Sequence, residues 1–435
     1  MTLVRGLRKW DLVALVINSV IGAGIFGLPS QVYALTGTYS LAVYAVAAVA
    51  IGLFVLCFAE AGSRFGGTGG PYLYTRVAFG PLIGFQVGWL MCLARITAFA
   101  SVLNLFVAYL AFFVPAASSE GWRGVVILFV VVLLSAANIA GLRTSTTITN
   151  VLTAGKVIPL FLLALVGFFF VDLQRYSLAA VPTYGVFSKA TLLVLFAFAG
   201  FESALIPMGE MRDPQRHVAF SLFVGMSVVT ALYMCVQAVC IGTVTDLAHA
   251  GRPLSDAALH IVGGAGESAV AAAALLSIGG ILNAIVFTTS RLPFAMAQNG
   301  ELPRVLSSTH ARFRTPVAAI VLTAMVGGLV ALFSTFVSAL TISTIARLVA
   351  YMATCAAVPV MRRRPDLPRC SFSVPAGLLV PAGAIVLGLW LLSTSPWAEV
   401  RVAGIFAAVG VALYFVRVRE APEVSAAVLS SRASD

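Results

Sequence analysis

The sequence predicts an all-α polytopic membrane protein of twelve transmembrane helices, two groups of five forming an inverted repeat and two more following. Three observations predict it: composition, the length of the apolar runs, and the placement of charge. Of 435 residues, 60% are hydrophobic and 10% charged, whereas soluble domains carry about 25% charged residues. Mean hydropathy is +1.02. A bilayer crossing needs about 20 apolar residues. Such runs lie near 12–35, 40–60, 83–112, 123–141, 147–171, 190–210, 218–245, 267–297, 316–334, 337–361, 375–394 and 400–418. The least distinct boundaries are the split near Ser334 and the ends of the last pair. The longest polar connection is 246–266.

The net charge of +11 fits a nucleic-acid partner or a membrane topology, and its distribution selects topology. With the N-terminus cytoplasmic, 18 of the 27 basic residues fall in cytoplasmic segments. Arg123, Arg175, Lys189, Arg252 and Arg401 fall outside, and Arg95, Lys156, Arg291 and Arg347 within spans. That bias expects both termini in the cytoplasm and an even number of spans. "MRRRP" at 361–365 then reads as a topology anchor, with no nucleic acid needed. The expected organisation is a cytoplasmic start (1–11), repeat one (12–171), repeat two (190–361), a terminal pair (375–418) and a cytoplasmic tail (419–435). The first apolar run is too long for a cleavable signal and reads as an uncleaved span. Cys57, Cys92, Cys235, Cys240, Cys355 and Cys370 show neither metal spacing nor a disulfide framework. No phosphate-cradling loop is present to support ATP-driven pumping.

The first span carries its own breaker. "NSVIGAGIFGLPS" places Gly22, Gly24, Gly27 and Pro29 within eight residues, although a helix-interior glycine costs about 1 kcal/mol relative to alanine. Span 6 carries a similar break at "FAFAGFESALIPMGE", around Gly200. Five spans separate the two, so the broken helices run antiparallel, as an inverted repeat of spans 1–5 against 6–10 requires. Irregular backbone at that depth is tolerated where it faces a cavity or ligand. A half-helix starting near Gly24 directs free N–H groups and a positive dipole end at the gap, which suits a carboxylate. The opposing carbonyls suit an ammonium. One pocket with both features receives an α-amino acid.

These segments resemble the amino acid–polyamine–organocation (APC) superfamily of transporters. The matching stretches are "IGAGIFGLPS" and "FAEAGSRFGGTGGPYLYTRVAFGPLIGFQVGW", then "FAGFESALIPMGEMRDPQR", "TTSRLPFAMAQNGELP" and "IARLVAYMATCAAVPVMRRRP". The resemblance covers most of residues 8–368. It implies the LeuT-type fold with two further spans, and transport of amino acids or related amines by proton symport, exchange or uniport. It implies that the substrate carboxylate meets the amides of Ala23 and Gly24, and the amine the carbonyls of Val20, Phe196 and Ala199. Gly22, Ile25, Gly200 and Arg95 complete the expected binding set. Phe196 stands where relatives often place a gating aromatic, and Glu202 at the family's acidic position after the span 6 break. The resemblance also implies that spans 1, 2, 6 and 7 rock against 3, 4, 8 and 9.

Ionisable groups inside spans are functional candidates. Lys156 is nine residues into span 5, roughly 14 Å at 1.5 Å per residue. It must be paired, hydrated or deprotonated. By the resemblance it stands in for a bound sodium ion, which implies sodium independence and leaves open proton coupling or exchange without it. Glu202 can carry a proton with substrate, or bond backbone exposed by the break. Arg95 cannot readily lose its charge. It pairs with an acid such as Glu202, or selects substrates bearing a second anionic group. Either reading disfavours cationic substrates. Arg347 is expected to pair within the scaffold or reach the outer interface, Arg291 to face the cytoplasmic vestibule, and Glu60 to be structural.

An intramembrane enzyme is disfavoured. His217, His249, His260 and His310 fall at or outside span ends, and no span holds two aspartates. A channel would not explain two antiparallel broken helices. The expectation is a sodium-independent, proton-coupled amino acid permease of the plasma (inner) membrane, needing no metal or cofactor and preferring neutral or small amino acids to cationic ones. An exchanger or facilitator is the alternative.

Overall fold

The computed structural model describes residues 9–65, 70–140, 146–177, 181–203, 205 and 214–418. The side chains of 118, 120, 146–156, 214–216 and 417–418 lie outside that description. Every described regular element is helical. Span 1 is two helices, Lys9–Val20 and Gly24–Thr36, and span 2 is Ser40–Arg64. Spans 3, 4 and 5 are Pro81–Leu110, Glu120–Ile139 and Thr146–Gly167. Span 6 begins as Tyr184–Phe198, and span 7 is Pro214–Thr243. Spans 8 to 12 are Gly264–Gln298, Val317–Phe333, Phe336–Arg362, Leu379–Ser393 and Trp397–Val418. The expected all-α polytopic architecture is therefore present.

Short helices fill two connections. Gly70–Phe79 lies between spans 2 and 3, and Pro253–Val262 between spans 7 and 8. The second occupies a stretch that reads from sequence as a polar connection. Its signals are local: Pro253 at the first helical position and Gly263 beyond the end with φ +81°.

The doubtful boundary near Ser334 is set by two caps. Thr335 Oγ1 accepts from Ser338 N–H at 3.2 Å, and Ser338 Oγ accepts from Thr335 N–H at 3.0 Å, starting span 10. Arg123 donates to the carbonyls of Ala331, Leu332 and Ser334 at 2.8–3.2 Å, ending span 9. A cation there also complements the negative end of the helix dipole.

Packing divides the spans into two groups. The first helix of span 1 and span 2 pack on span 7, and span 2 and the second helix of span 1 on span 6. Span 3 is the buried axis of the other group, packed against spans 8, 9, 10 and 12, with span 4 against 9. Span 10 bridges the groups by touching spans 2 and 6 as well as 3. Outward faces remain strongly apolar: Val125, Leu128, Phe129 and Val132 of span 4, and Ile405, Val409 and Phe415 of span 12, are exposed. In water such continuous faces would be a liability, whereas lipid tails accept them.

Candidate functional site

The break in span 1 is short. Ile21 N–H extends the first helix of span 1, donating to Ile17 O at 2.9 Å. The second helix starts at Gly24, and Ala23 O accepts from Phe26 and Gly27 at 3.1 and 3.3 Å. Its first amides, Gly24 and Ile25, are among those that a helix start leaves without intrahelical partners. Span 6 breaks differently. Ala199 is extended (φ −70°, ψ 151°), Gly200 has φ +118°, and a tight turn follows in which Ser203 N–H reaches Gly200 O at 2.9 Å.

The two breaks interlock. A Cβ at Gly24 would lie 2.7 Å from Ala197 Cα, and one at Gly200 would lie 2.4 Å from Ser19 O. Each glycine is thus the space that the other span's backbone fills. Tyr233 of span 7 joins both breaks, its hydroxyl 3.0 Å from Val20 O and 3.0 Å from Ala197 O. A phenol has one proton and can donate to one of them at a time. Val20 O, the carbonyl that the resemblance implies for a substrate amine, thus lies within reach of the Tyr233 hydroxyl. Phe196 O accepts from Ala199 N–H at 3.1 Å, and the Phe196 side chain is buried.

Glu202 lies just beyond the break and is fully buried. Its Oε2 accepts from Gly200 N–H at 2.8 Å and from Tyr351 Oη–H at 2.7 Å, and its Oε1 pairs with Arg347. The carboxylate therefore closes the irregular turn of span 6 and fastens it to span 10. Of the two alternatives for Arg95, direct pairing with Glu202 is not the contact found: among the described residues the ion-pair partner of Glu202 is Arg347. Arg95 instead donates to Thr288 Oγ1 of span 8 at 3.0 Å and to Ser203 Oγ at 3.1 Å. Tyr351 lies one turn from Arg347 on span 10, so residue and counter-donor reach the carboxylate from one helix face. The neighbouring Ser343 anchors span 10 to span 3, donating to Ala94 O at 2.6 Å.

Ala199, Thr344, Arg347 and Tyr351, with Phe54 of span 2, line a cavity of about 10 Å³, room for one water molecule. Val20, Gly22, Ala23, Gly24, Ile25, Phe196, Ala199 and Gly200 all lie on the two broken segments. Lys156 falls within the helix of span 5, but its side chain lies outside the described residues.

Other charged residues lie nearer the bundle ends. Glu60 accepts from Arg362 at 2.5 and 2.7 Å and from Val374 N–H at 2.8 Å. Arg291 stacks on Phe287 of its own helix, 3.3 Å from the ring centroid. Sequence reasoning missed Tyr233, Tyr351 and Thr288. The available signal was general: a tyrosine inside an apolar span must find a partner for its hydroxyl.

Paired broken helices inside a packed helical bundle are the architecture of a membrane carrier. The chain belongs to the amino acid permease family, whose description matches residues 7–417. It is similar to the methylthioribose transporter of Bacillus subtilis (28% identity, covering 96% of this chain and 94% of the relative). It is also similar to that organism's branched-chain amino acid permease BcaP (26%, 96% and 94%) and serine/threonine exchanger SteT (27%, 92% and 92%). It is an amino acid transporter of this family and not an enzyme.

Proposed function

We propose that this chain moves amino acids by alternating access, independently of sodium and coupled to protons, and prefers neutral or small amino acids to cationic ones. The observation that carries the reading is the interlock of Gly24 with Ala197 and of Gly200 with Ser19. Two unwound segments meet there, offering amides from one side and carbonyls from the other. Spans 1, 2, 6 and 7 rock against 3, 4, 8 and 9, and the Glu202–Arg347–Tyr351 cluster is the joint between span 6 and span 10. Buried Arg95 and Arg347 repel a cationic side chain. Lys156 takes the place of a coupling ion and supplies the titrating group, while Glu202 holds the span 6 turn. Both termini face the cytoplasm in the plasma (inner) membrane, as the basic residues favour.

The test is uptake into proteoliposomes across an amino acid panel, with and without a proton gradient and with and without internal substrate. Gradient-driven accumulation that is unaffected by sodium is expected. Uptake that needs internal substrate and ignores the gradient would establish exchange instead, the activity named for the relative SteT. Putrescine or arginine uptake matching that of the best neutral amino acid would overturn the charge preference.

A further inference from the structure

We propose that the last turn of span 2 is the pivot about which the moving spans rock, held in place by the segment 363–378 that follows span 10. This rests on the alternating-access reading of the chain. Span 10 is the fixed post. Ser343 ties it to span 3 through Ala94 O at 2.6 Å, and Ser101 of span 3 donates to Phe336 O at 2.8 Å. Span 2 is a single helix of 25 residues, roughly 37 Å long at 1.5 Å per residue. A rod of that length fixed at one end moves mainly at the other.

The fixed end is Glu60, which is fully buried. Its carboxylate accepts from Arg362 Nε–H and Nη2–H at 2.7 and 2.5 Å and from Val374 N–H at 2.8 Å, with Arg64 at 3.5 Å. These fill the roughly four acceptor positions that a carboxylate offers. Arg362 also donates to Gly377 O at 3.0 Å, which folds the segment back on span 10. Further bonds join the segment to span 2. Arg64 donates to Pro368 O at 3.3 Å, and Ser63 Oγ accepts from Phe372 N–H at 3.3 Å. The Phe372 ring packs on Phe223 of span 7, centroids 5.6 Å apart. Spans 2 and 7 of the moving group are thus held by a segment anchored on span 10. Parting this contact would strand a buried carboxylate from its cations, which is strongly unfavourable. A pivot keeps the pair closed throughout the cycle. The joint of Glu202 with Arg347 differs, because it follows the irregular turn of span 6, where backbone dihedrals can absorb a bend.

The test uses the full chain in proteoliposomes, with Ser63→Cys and Phe372→Cys in a Cys370→Ser background. Copper phenanthroline joins the pair, thiol titration verifies closure, and dithiothreitol reopens it. Cross-linked protein should exchange a labelled panel of common amino acids as fast as the reduced protein does. Loss of exchange on cross-linking, restored by reduction, would overturn the pivot and make the contact a latch. Hydrogen exchange on wild-type protein gives a second reading that needs no variant. The amides of Phe372 and Val374 should exchange equally slowly with and without the best-exchanged member of the panel. Faster exchange at these amides during turnover would overturn the pivot and leave the carrier reading standing. If wild type exchanges no amino acid of the panel, the carrier reading fails and the pivot with it.

Discussion

The backbone of Gly200 rests against the carbonyl of Ser19, so that a Cβ on Gly200 would lie 2.4 Å from that oxygen. The contact joins span 6 to span 1 at their breaks, and two costs protect it. Alanine at φ +118° is strained by about 1–3 kcal/mol, and the methyl would also strike backbone rather than a side chain that could yield. Gly200→Ala should therefore lower the apparent melting temperature and abolish transport. Gly52→Ala is the control. It lies mid-helix with nothing within 4 Å of its Cβ position, and should gain about 0.5–1 kcal/mol. Equal melting behaviour of the two variants would refute the interlock.

Glu202 and Arg347 form a buried pair, and removing one partner leaves the other uncompensated. Glu202→Gln should cost about 3–5 kcal/mol. The double variant Glu202→Gln with Arg347→Gln should be less damaged than the sum of the two singles, with a coupling of about 0.5–3 kcal/mol. A double-mutant cycle on detergent-solubilised protein measures this. Additive losses would mean that the pair does not act as a unit.

Tyr233→Phe removes the hydroxyl lying between Val20 O and Ala197 O. The lost bonding at this buried site should cost about 1–3 kcal/mol. A substrate amine would then meet Val20 O without competition. Thermal stabilisation by added substrate should therefore be larger in the variant than in wild type. A smaller ligand shift would contradict the sharing of that carbonyl.

These predictions also mark what the sequence could reveal. The spans and the breaks were legible, because lipid requires long apolar runs and Gly22, Gly24 and Gly200 stand out within them. The partner of Glu202 was not legible. Arg95 and Arg347 both lie in spans, and only tertiary packing determines which one reaches a carboxylate 145 residues away from Arg347. The start of span 10 was indistinct because its capping box has Ser338 where glutamate or glutamine is usual. The helix Pro253–Val262 was overlooked because, at ten residues, it is too short to register as a crossing.

A pH effect is expected where the helix Gly70–Phe79 meets the end of span 8. Arg76 reaches Glu301 at 2.5 Å, and Tyr72 donates to the same carboxylate at 3.0 and 3.1 Å. Burial outweighs these donors and pushes the Glu301 carboxyl above its ordinary value of 4.5. With the folded value raised, the folded state binds the proton more readily than the unfolded chain. That contribution is fully present below 4.5 and is lost as pH rises through the folded value. Glu301→Gln should flatten the melting profile across that interval, and an unchanged profile would show that Glu301 is not its source.

The coupling role proposed for Lys156 has its own test. Lys156→Ala should abolish net uptake or remove its pH dependence, and initial rates across a pH series measure both. Transport with an unaltered pH profile would withdraw the role.

The central claim is that the paired breaks in spans 1 and 6 hold an amino acid that the protein carries by alternating access. It is tested most directly by flux through purified, reconstituted protein, with labelled substrate exchange and electrical conductance recorded on the same preparation. Saturable, stereoselective amino acid flux that disappears in Gly200→Ala is the predicted result. Non-saturating ohmic conductance without stereoselectivity would contradict it.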